Sequence, residues 1–429
     1  MKNLRYATAA WRRYLGALPR ADRPRPAVQR AVARIVREVE REGDAAVVRW
    51  TARLDGVRLR PGQIRMERSE VRRLAAAADR PLRRALAALS TRIEDFHRRQ
   101  LTGGFRLPLG PGSVVEEVVT PLASAGLYVP GGAGAYPSSV LMNAIPALAA
   151  GVPDLWIATP PRALESGPAV AAAIVEVGLE DRVIRVGGAQ AVAALAYGTR
   201  TVPAVAKIAG PGNAYVAEAK RQVRGRVDID REAGPSEVVI LADETADAGW
   251  VAADLLAQAE HGSGEETVVL VTTSGALAAE VARLVAQGVA SVANRASARR
   301  ALARHGAIVT VDTLDEGIAA MNDLAPEHAE VMTRGAEKIA ARVVAGAVFV
   351  GPWAPVAVGD YGIGPNHVLP TGGAARYASP LSVRDFQRRH SRVRLSRAGL
   401  ARITEDVVRV AQAEGFRGHA QSVLTRFEG

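Results

Sequence analysis

The fold is decided by residues 125–135, which read AGLYVPGGAGA. A short apolar run, 125–129, passes directly into a glycine-rich turn, and a helical pattern follows over 138–150. A strand, a tight turn and a helix in this order form one βα unit. The N–H groups of such a turn and helix can bind a pyrophosphate. The spacing is not G-x-G-x-x-G, and tight βα turns also need glycine for their backbone, so this turn alone leaves nucleotide binding open.

The same pattern repeats along the chain and predicts two α/β units. Strands are predicted at 155–158, 183–186, 204–208 and 237–242, and then at 267–272, 307–311, 329–332 and 347–350. Helices are predicted between them, at 169–178, 189–197, 213–223, 247–260, 277–287, 315–324 and 336–344. Alternating strands and helices favour parallel sheets with helices on both faces and right-handed crossovers.

Helical segments flank these units. Apolar residues recur at helical spacing over 26–44, 69–78, 81–100 and 400–415. The residues before Pro26 are rich in Arg and Pro and are expected to form an arm, and 359–385, rich in Gly, Pro, Asn and Ser, are expected to be a loop.

The composition narrows the possible chemistry. The 429 residues include 55 Lys and Arg against 44 Asp and Glu, a formal charge of +11, with 4% aromatic residues and no cysteine. Nucleic-acid modules usually add exposed aromatics to a basic patch, so we interpret the charge as a solvated surface and expect no nucleic-acid partner. Without thiols, a bound metal needs N and O ligands. No signal peptide and no run of about 18 apolar residues is present, so we expect a cytoplasmic protein with no membrane partner.

Two pairs of polar residues are candidates for a site. Gln258 and His261 close a predicted helix three residues apart and can share one ion, although a helix-terminal His also serves as a cap. Glu327 and His328 adjoin at a helix-to-strand joint. A carboxylate beside an imidazole suits general acid–base chemistry, although two polar residues also suit a simple turn.

The other histidines are less informative. Asp360 and His367 in the predicted loop are candidate ligands or substrate contacts. His419 follows the last predicted helix and, taken alone, is an ordinary tail residue. Three further histidines stand in arginine-rich segments and are expected to be exposed, namely His97, His305 and His390.

Seven blocks of the sequence together resemble the histidinol dehydrogenase family, in that family's order and spacing. The blocks are GLYVPGG at 126–132, VGGAQA at 186–191, IAGPGN at 208–213, AGPSE at 233–237, QAEH at 258–261, PEH at 326–328, and GDY at 359–361 with NHVLPT at 366–371. The resemblance runs from about residue 116 to 420. Small departures occur near Arg231 and in the basic segment 385–389.

The resemblance implies an NAD-linked zinc enzyme of histidine biosynthesis. Such an enzyme oxidises L-histidinol to L-histidine through L-histidinal, a four-electron oxidation that reduces two NAD. By family match, one Zn²⁺ per subunit would be held by Gln258, His261, Asp360 and His419. Glu327 and His328 would be the catalytic acid–base residues. The substrate contacts would be Ser236, Gln258, His261, His328, Asp360, Glu414 and His419, and the NAD contacts Tyr128, Gln190 and Asn213.

The resemblance also implies an architecture. It implies two Rossmann-like parallel-sheet domains with helical N- and C-terminal extensions. The expected divisions are an arm at 1–25, a first α/β domain of 26–124 with 238–380, a second of 125–237, and a C-terminal extension at 381–429. An intertwined homodimer with shared active sites would bring the partner's Glu414 and the partner's His419 into each site.

The chemistry of the residues is compatible with this activity. Histidinol carries an imidazole and an amine that can chelate one metal. His328 can accept the hydroxyl proton as hydride leaves, and Glu327 can activate the water that adds to the aldehyde. A chain without cysteine cannot use a thiohemiacetal, which leaves the hydrated aldehyde as the available route.

Three other functions stay open at this point. A paralogous zinc- and NAD-dependent dehydrogenase would act on another amino- or sulfo-alcohol. Glu414 and His419 favour histidinol, because they would hold its amine and imidazole. The charge of +11 keeps a basic nucleic-acid-binding protein in consideration, and the glycine turns keep a metal-free nucleotide-binding scaffold.

Overall fold

The computed structural model describes residues 1–20, 25–131, 134–232 and 234–428. They form two compact units, one of Met1–Gln100 with Leu122–Phe386 and the other of Leu101–Pro121 with Gln387–Gly429. Gly132 and Ala133 of the glycine-rich turn, Ala233 of the fourth block and 21–24 of the expected arm lie outside the described residues.

The strands and helices alternate over most of the chain. The strands are β1 Lys2–Arg5, β2 Arg106–Pro108, β3 Val114–Pro121, β4 Ser124–Tyr128, β5 Asp154–Ala158, β6 Val183–Ile184, β7 Lys207–Ala209, β8 Asp228–Ile229, β9 Glu237–Ala242, β10 Thr267–Thr272, β11 Gly306–Thr310, β12 His328–Met332, β13 Ala347–Val350 and β14 Gln387–Arg394. The helices are α1 Ala9–Ala17, α2 Pro26–Glu42, α3 Asp44–Leu54, α4 Arg68–Ala76, α5 Arg80–Arg98, α6 Pro137–Ala150, α7 Pro161–Glu165, α8 Ala169–Glu176, α9 Gly188–Tyr197, α10 Ala214–Val223, α11 Ala248–Ala259, α12 Gly275–Gly288, α13 Arg295–Arg304, α14 Leu314–Leu324, α15 Ala336–Ala340, α16 Val356–Tyr361, α17 Arg397–Ala413 and α18 Arg417–Leu424.

The opening stretch forms the centre of a five-stranded parallel sheet. Its strand order is β6-β5-β4-β7-β8, and β4 pairs with both β5 and β7. Successive residues point to opposite faces, so Leu127 lies in one hydrophobic core and Tyr128 in the other. Both faces are buried, which explains why these strands read as short apolar runs without polar alternation.

Helices α2 to α5 cover this sheet. Val36 and Trp50, from α2 and α3, pack in one core with Trp156, while Leu89 and Ile93 of α5 pack in the other with Leu127. The expected division, which joined 26–124 to 238–380, therefore differs from the observed packing. Each helix presents an apolar stripe, but a stripe does not specify which sheet will bury it.

The second sheet has six parallel strands in the order β1-β11-β10-β9-β12-β13. Its edge strand β1 lies in the segment that was expected to be an arm, and Lys2 pairs with Ala307. Trp11 and Tyr14 of α1 are buried against the same sheet. The arm prediction is therefore wrong for residues 1–20, because the arginines around these apolar residues concealed their burial. The α/β class with parallel sheets is confirmed.

The second unit combines an antiparallel sheet with two helices. The sheet has the order β14-β3-β2, and Arg392 of β14 pairs across it with Glu116, with Nε 2.7 Å from a carboxylate oxygen. The predicted helix at 400–415 is α17, and α18 follows it. The C-terminal extension thus contains a strand as well as helices.

The segment 359–385 is not entirely loop. Helix α16 extends to Tyr361, and its buried Gly359 lies so close to the ring of Phe349 that a Cβ there would be 2.5 Å from it. The loop prediction is wrong at the start of this segment, because glycine is typical of loops, whereas Gly359 permits close packing inside a helix. Among the described residues no helix is long and apolar enough to cross a membrane.

Candidate active site

The predicted catalytic residues meet at the amino edge of the six-stranded sheet. Ser236 precedes β9, Glu327 precedes β12, and His328 begins β12. The two strands are parallel neighbours, with His328 opposite Val238. This pairing brings residues 234–237 and 326–328 side by side, although they are far apart in the sequence.

Glu327 is buried in a network of backbone amides. Its Oε2 accepts a hydrogen bond from the N–H of Glu237 at 2.9 Å, and the N–H of Glu327 donates to the carboxylate of Glu237 at 3.2 Å. Burial raises the pKa of Glu327 well above its usual range, and the charges of Glu237 and Asp360 raise it further. A carboxyl group with a raised pKa is a stronger base, once ionised, than an exposed one.

His328 is buried and neutral. Its Nδ1 lies 3.0 Å from the backbone oxygen of Glu237. Burial lowers the pKa of His328 to about 4, against the opposing effect of the Asp360 charge. A backbone oxygen only accepts hydrogen bonds, so Nδ1 carries the proton and Nε2 keeps its lone pair. His328 is therefore in the form that can accept a proton.

Helix α11 carries Gln258 to the same edge. It starts after β9 and ends before β10, so its last turn returns to the amino end of the parallel strands. Gln258 is 3% exposed, and both of its side-chain amide atoms lack a hydrogen-bond partner. A buried amide without partners is costly, so a missing ligand is the simplest explanation. His261, two residues beyond the helix, is exposed at this edge.

Asp360 and His367 form a pair at this edge. His367 Nδ1 is 3.4 Å from Asp360 Oδ1, and His367 Nε2 is buried without a partner. Burial acts to raise the pKa of Asp360, but the hydrogen bond and charge of His367, with the charges of His328 and His261, outweigh it and lower that pKa. The carboxylate is therefore ionised, with His367 in direct contact with it.

These groups border a cavity of about 480 Å³. Its lining includes His328, Phe349, Asp360, His367 and Arg384. The space is large enough for a small substrate.

In a chain without cysteine, Zn²⁺ would need nitrogen and oxygen ligands. Gln258, His261 and Asp360 supply oxygen and nitrogen donors, and the unpartnered amide of Gln258 is the observation that fits a bound ion. Within the described ranges, no group of three or more His, Asp or Glu side chains is close enough to hold a metal. This absence concerns His, Asp and Glu side chains, and it does not cover an amide ligand such as Gln258.

The predicted NAD contacts lie at the carboxyl edge of the five-stranded sheet. Tyr128 ends β4, Gln190 lies in the first turn of α9, and Asn213 caps α10. The Tyr128 hydroxyl accepts from the Gly188 N–H at 2.9 Å, and Gln190 Nε2 donates to Asp55 at 3.3 Å. The structure brings these three turns to one edge, where parallel sheets commonly bind ligands.

Glu414 and His419 belong to the second unit. Glu414 ends α17, and His419 lies in α18 with its ring centroid 5.1 Å from that of Phe416. Both side chains are exposed and line one open groove of about 470 Å³.

The prediction that His97, His305 and His390 are exposed is wrong for two of them. His97 is fully buried, with Nδ1 2.8 Å from the Ile93 oxygen and Nε2 3.3 Å from Asn366. His305 is partly buried, with Nε2 3.3 Å from Glu265, and only His390 of these three is exposed. The signal for His97 was available, because it continues the helical stripe of Leu89 and Ile93.

Sequence reasoning also missed Asp55 and Glu237. Burial raises the pKa of Asp55, which follows α3 and contacts Gln190. Glu237 lies inside the quoted block at 233–237, but its position at the start of a strand gave no sign of a contact with Glu327.

Comparison with known proteins agrees with this geometry. The family model described as histidinol dehydrogenase matches residues 18–427. A histidinol dehydrogenase from Halalkalibacterium halodurans is 44% identical over 402 residues, covering 93% of this chain and 94% of that protein. One from Aromatoleum aromaticum is 46% identical over 404 residues, covering 93% and 91%.

A solved structure supports the same assignment. The crystal structure of histidinol dehydrogenase from Elizabethkingia anophelis superposes with a TM-score of 0.91 at 31% identity, covering all of this chain and 98% of that one. The agreement therefore extends over both units and not over one motif alone. The chain belongs to the histidinol dehydrogenase family and is an oxidoreductase.

Proposed function

We propose that this enzyme oxidises L-histidinol to L-histidine through L-histidinal, with Zn²⁺ bound and two NAD reduced per turnover. The observation that carries the proposal is the burial of Glu327 and His328 together, within the electrostatic influence of Asp360, at the sheet edge that also carries the unpartnered amide of Gln258. An acid–base pair next to an incomplete donor set suits the oxidation of a chelating amino alcohol.

Gln258, His261 and Asp360 would hold the metal from one chain, and the partner's His419 would complete the set. When bound, Zn²⁺ supplies Lewis-acid chemistry and a fixed point for the amine and imidazole nitrogens of histidinol. Its four proposed ligands are N and O donors, as a chain without cysteine requires.

His328 acts in the first oxidation. Its Nε2 is unprotonated because Nδ1 carries the proton toward the Glu237 oxygen. It accepts the hydroxyl proton of histidinol as hydride passes from the carbinol carbon to NAD. Burial keeps the imidazole neutral before the proton arrives, because it lowers the pKa of His328 to about 4.

Glu327 acts in the second oxidation. The aldehyde must add water before a second hydride can leave, and Glu327 is the carboxylate placed beside His328 to take the water proton. The raised pKa of Glu327 increases its strength as a base once ionised. This route replaces the cysteine adduct that the chain cannot form.

NAD would bind at the carboxyl edge of the five-stranded sheet, against Tyr128, Gln190 and Asn213. From this edge, the nicotinamide end of NAD would extend toward the acid–base pair. The unpartnered buried Oε1 of Gln190 is a free acceptor for such a ligand.

The active form would be a homodimer with shared sites. Glu414 and His419 are exposed in the second unit, as residues that complete another subunit's site must be. Glu414 would contact the substrate, and His419 the metal and the substrate. The cytoplasmic location stays a sequence-based prediction.

The proposal is tested by substrate competition. Purified zinc-loaded enzyme is assayed for NADH with L-histidinol and, separately, with other amino alcohols and a sulfo-alcohol. We expect L-histidinol to give L-histidine and the highest kcat/KM. Turnover of another alcohol without turnover of L-histidinol would instead support the paralogous dehydrogenase.

A further inference from the structure

The side chain of Glu237 has no role in the chemistry described so far. It is 6% exposed at the start of β9. Its Oε2 accepts two backbone hydrogen bonds, from the N–H of Glu327 at 3.2 Å and from the N–H of Gly372 at 3.1 Å. Burying a carboxylate is unfavourable, so a buried carboxylate that bonds backbone amides needs a specific reason.

The backbone of Glu237 contacts both catalytic side chains. Its N–H donates to the Glu327 carboxylate at 2.9 Å, and its carbonyl oxygen lies 3.0 Å from His328 Nδ1. Together with the side-chain bonds, one residue fixes the backbone of Glu327, the carboxylate of Glu327 and the ring of His328.

Gly372 extends this arrangement to the polar loop. Gly372 N–H bonds the same Glu237 oxygen, and the preceding Thr371 accepts from Gly234 N–H through its hydroxyl at 2.5 Å. The segment 234–237 is therefore tied on one side to the residues before β12 and on the other to 371–372. Displacement of the Glu237 carboxylate would break its bonds to the Glu327 and Gly372 N–H groups, at the edge that carries Ser236, and leave only the Gly234–Thr371 bond to the polar loop.

We propose that Glu237 is a positioning residue that holds Glu327 and His328 in register for both oxidations. The proposal rests on the roles assigned to those two residues under the proposed function. The function of Glu237 depends on the length of its side chain, because the hydrogen bonds to two backbone amides depend on where the carboxylate oxygen lies. A purely electrostatic effect of the carboxylate would not depend on the side-chain length.

Two substitutions distinguish the effect of side-chain length from the effect of side-chain charge. Glu237→Gln keeps the side-chain length and an oxygen acceptor, whereas Glu237→Asp keeps the charge and withdraws the carboxylate by one methylene. We expect Glu237→Asp to lower kcat on the order of 100-fold with little change in KM, as a displacement near 1 Å does. We expect Glu237→Gln to stay within about fivefold of the wild type, since one oxygen still accepts both bonds.

A matched control lies at the other end of the same strand pair. Asp243 follows β9, and its carboxylate accepts from the N–H groups of Arg334 at 2.8 Å and Thr245 at 3.0 Å. Asp243→Glu should change the urea midpoint without changing kcat by more than about twofold, because this site is remote from the reacting groups. Zinc content, by elemental analysis, should be equal in all variants.

The half-reactions give the decisive readout. Glu237→Asp should lower the rates with L-histidinol and with L-histidinal by similar factors, since it disturbs both catalytic residues. A larger loss for Glu237→Gln than for Glu237→Asp, or an equal kcat loss for Asp243→Glu, would overturn the proposal. A wild-type enzyme inactive on L-histidinol would instead overturn the proposed function, so the two failures are distinguishable.

Discussion

His328 Nδ1 lies 3.0 Å from the backbone oxygen of Glu237, which fixes the tautomer of the neutral imidazole. The bond places the proton on Nδ1 and leaves Nε2 to react. Burial shifts the pKa values of the two neighbours in opposite directions: it raises the pKa of Glu327 and lowers that of His328 to about 4. Burial thus keeps the imidazole of His328 neutral and able to accept a proton, and it makes Glu327 a stronger base once that carboxyl group ionises.

The first prediction separates the roles of these two groups. Glu327→Gln removes the base for water addition but leaves His328 in place, so the oxidation of L-histidinol should be spared more than that of L-histidinal. His328→Gln should reduce the first oxidation by about 100-fold or more, the usual contribution of one general base. Single-turnover NADH formation with each substrate measures both steps. Equal losses of both half-reactions in Glu327→Gln would contradict its role in water activation.

The second prediction concerns the metal. His261→Asn and Asp360→Asn should each lower zinc affinity, since each removes a proposed ligand, by at least about tenfold. His390→Asn is the matched control, because His390 is exposed on β14 in the second unit. Elemental analysis after dialysis against a weak chelator measures the bound zinc. Wild-type zinc content in both ligand variants would overturn the assignment.

The third prediction concerns the shared site. A Glu327→Gln subunit and a His419→Ala subunit are each inactive alone, but a mixed dimer contains one site with both native residues. Random reassembly should therefore restore about a quarter of wild-type activity, because half of the dimers are mixed and half of their sites are intact. Absence of activity in dimers shown by mass spectrometry to be mixed would argue against sharing.

The fourth prediction concerns stability and pH. Glu330 of β12 is buried and shares a side-chain hydrogen bond with Asp254 of α11. Burial raises the pKa of Glu330 to about 8, and the Asp254 charge raises it further. The folded chain thus retains a proton that the unfolded chain releases near pH 4.5. This contribution to stability is full below that pH and is lost as the pH rises through about 8.

Glu330→Gln should remove this dependence. The wild type should lose up to about 1.4 kcal/mol of unfolding free energy per pH unit from this group, and the variant should show a flatter curve. Urea unfolding between pH 5 and pH 8.5, with exposed Glu244→Gln as control, measures the difference. Parallel curves for the wild type and Glu330→Gln would show that the pair does not retain a proton.

Local patterns in the sequence were sufficient for much of the fold. The run at 125–129 and its glycine turn identified β4 correctly, because a strand buried on both faces is continuously apolar. The same reasoning could not predict which sheet helices α2–α5 pack against, because an amphipathic stripe does not specify its packing partner. It missed β1 because a four-residue edge strand with two exposed cations shows little apolar pattern.

The site was predictable mainly where residues adjoin in sequence. Glu327 with His328, and Gln258 with His261, are local pairs that chemistry alone suggests. Glu237 was missed because its bond to Glu327 joins residues 90 positions apart, which only the pairing of β9 with β12 brings together.

The most direct test is the stoichiometry and metal dependence of histidinol oxidation. The enzyme is assayed with L-histidinol and excess NAD as purified, after zinc removal by a chelator verified by elemental analysis, and after zinc is restored. The account predicts two NADH and one L-histidine per L-histidinol, loss of both after zinc removal, and recovery with added Zn²⁺. No NADH from L-histidinol with the zinc-loaded enzyme, or unchanged activity in the verified zinc-free enzyme, would contradict it.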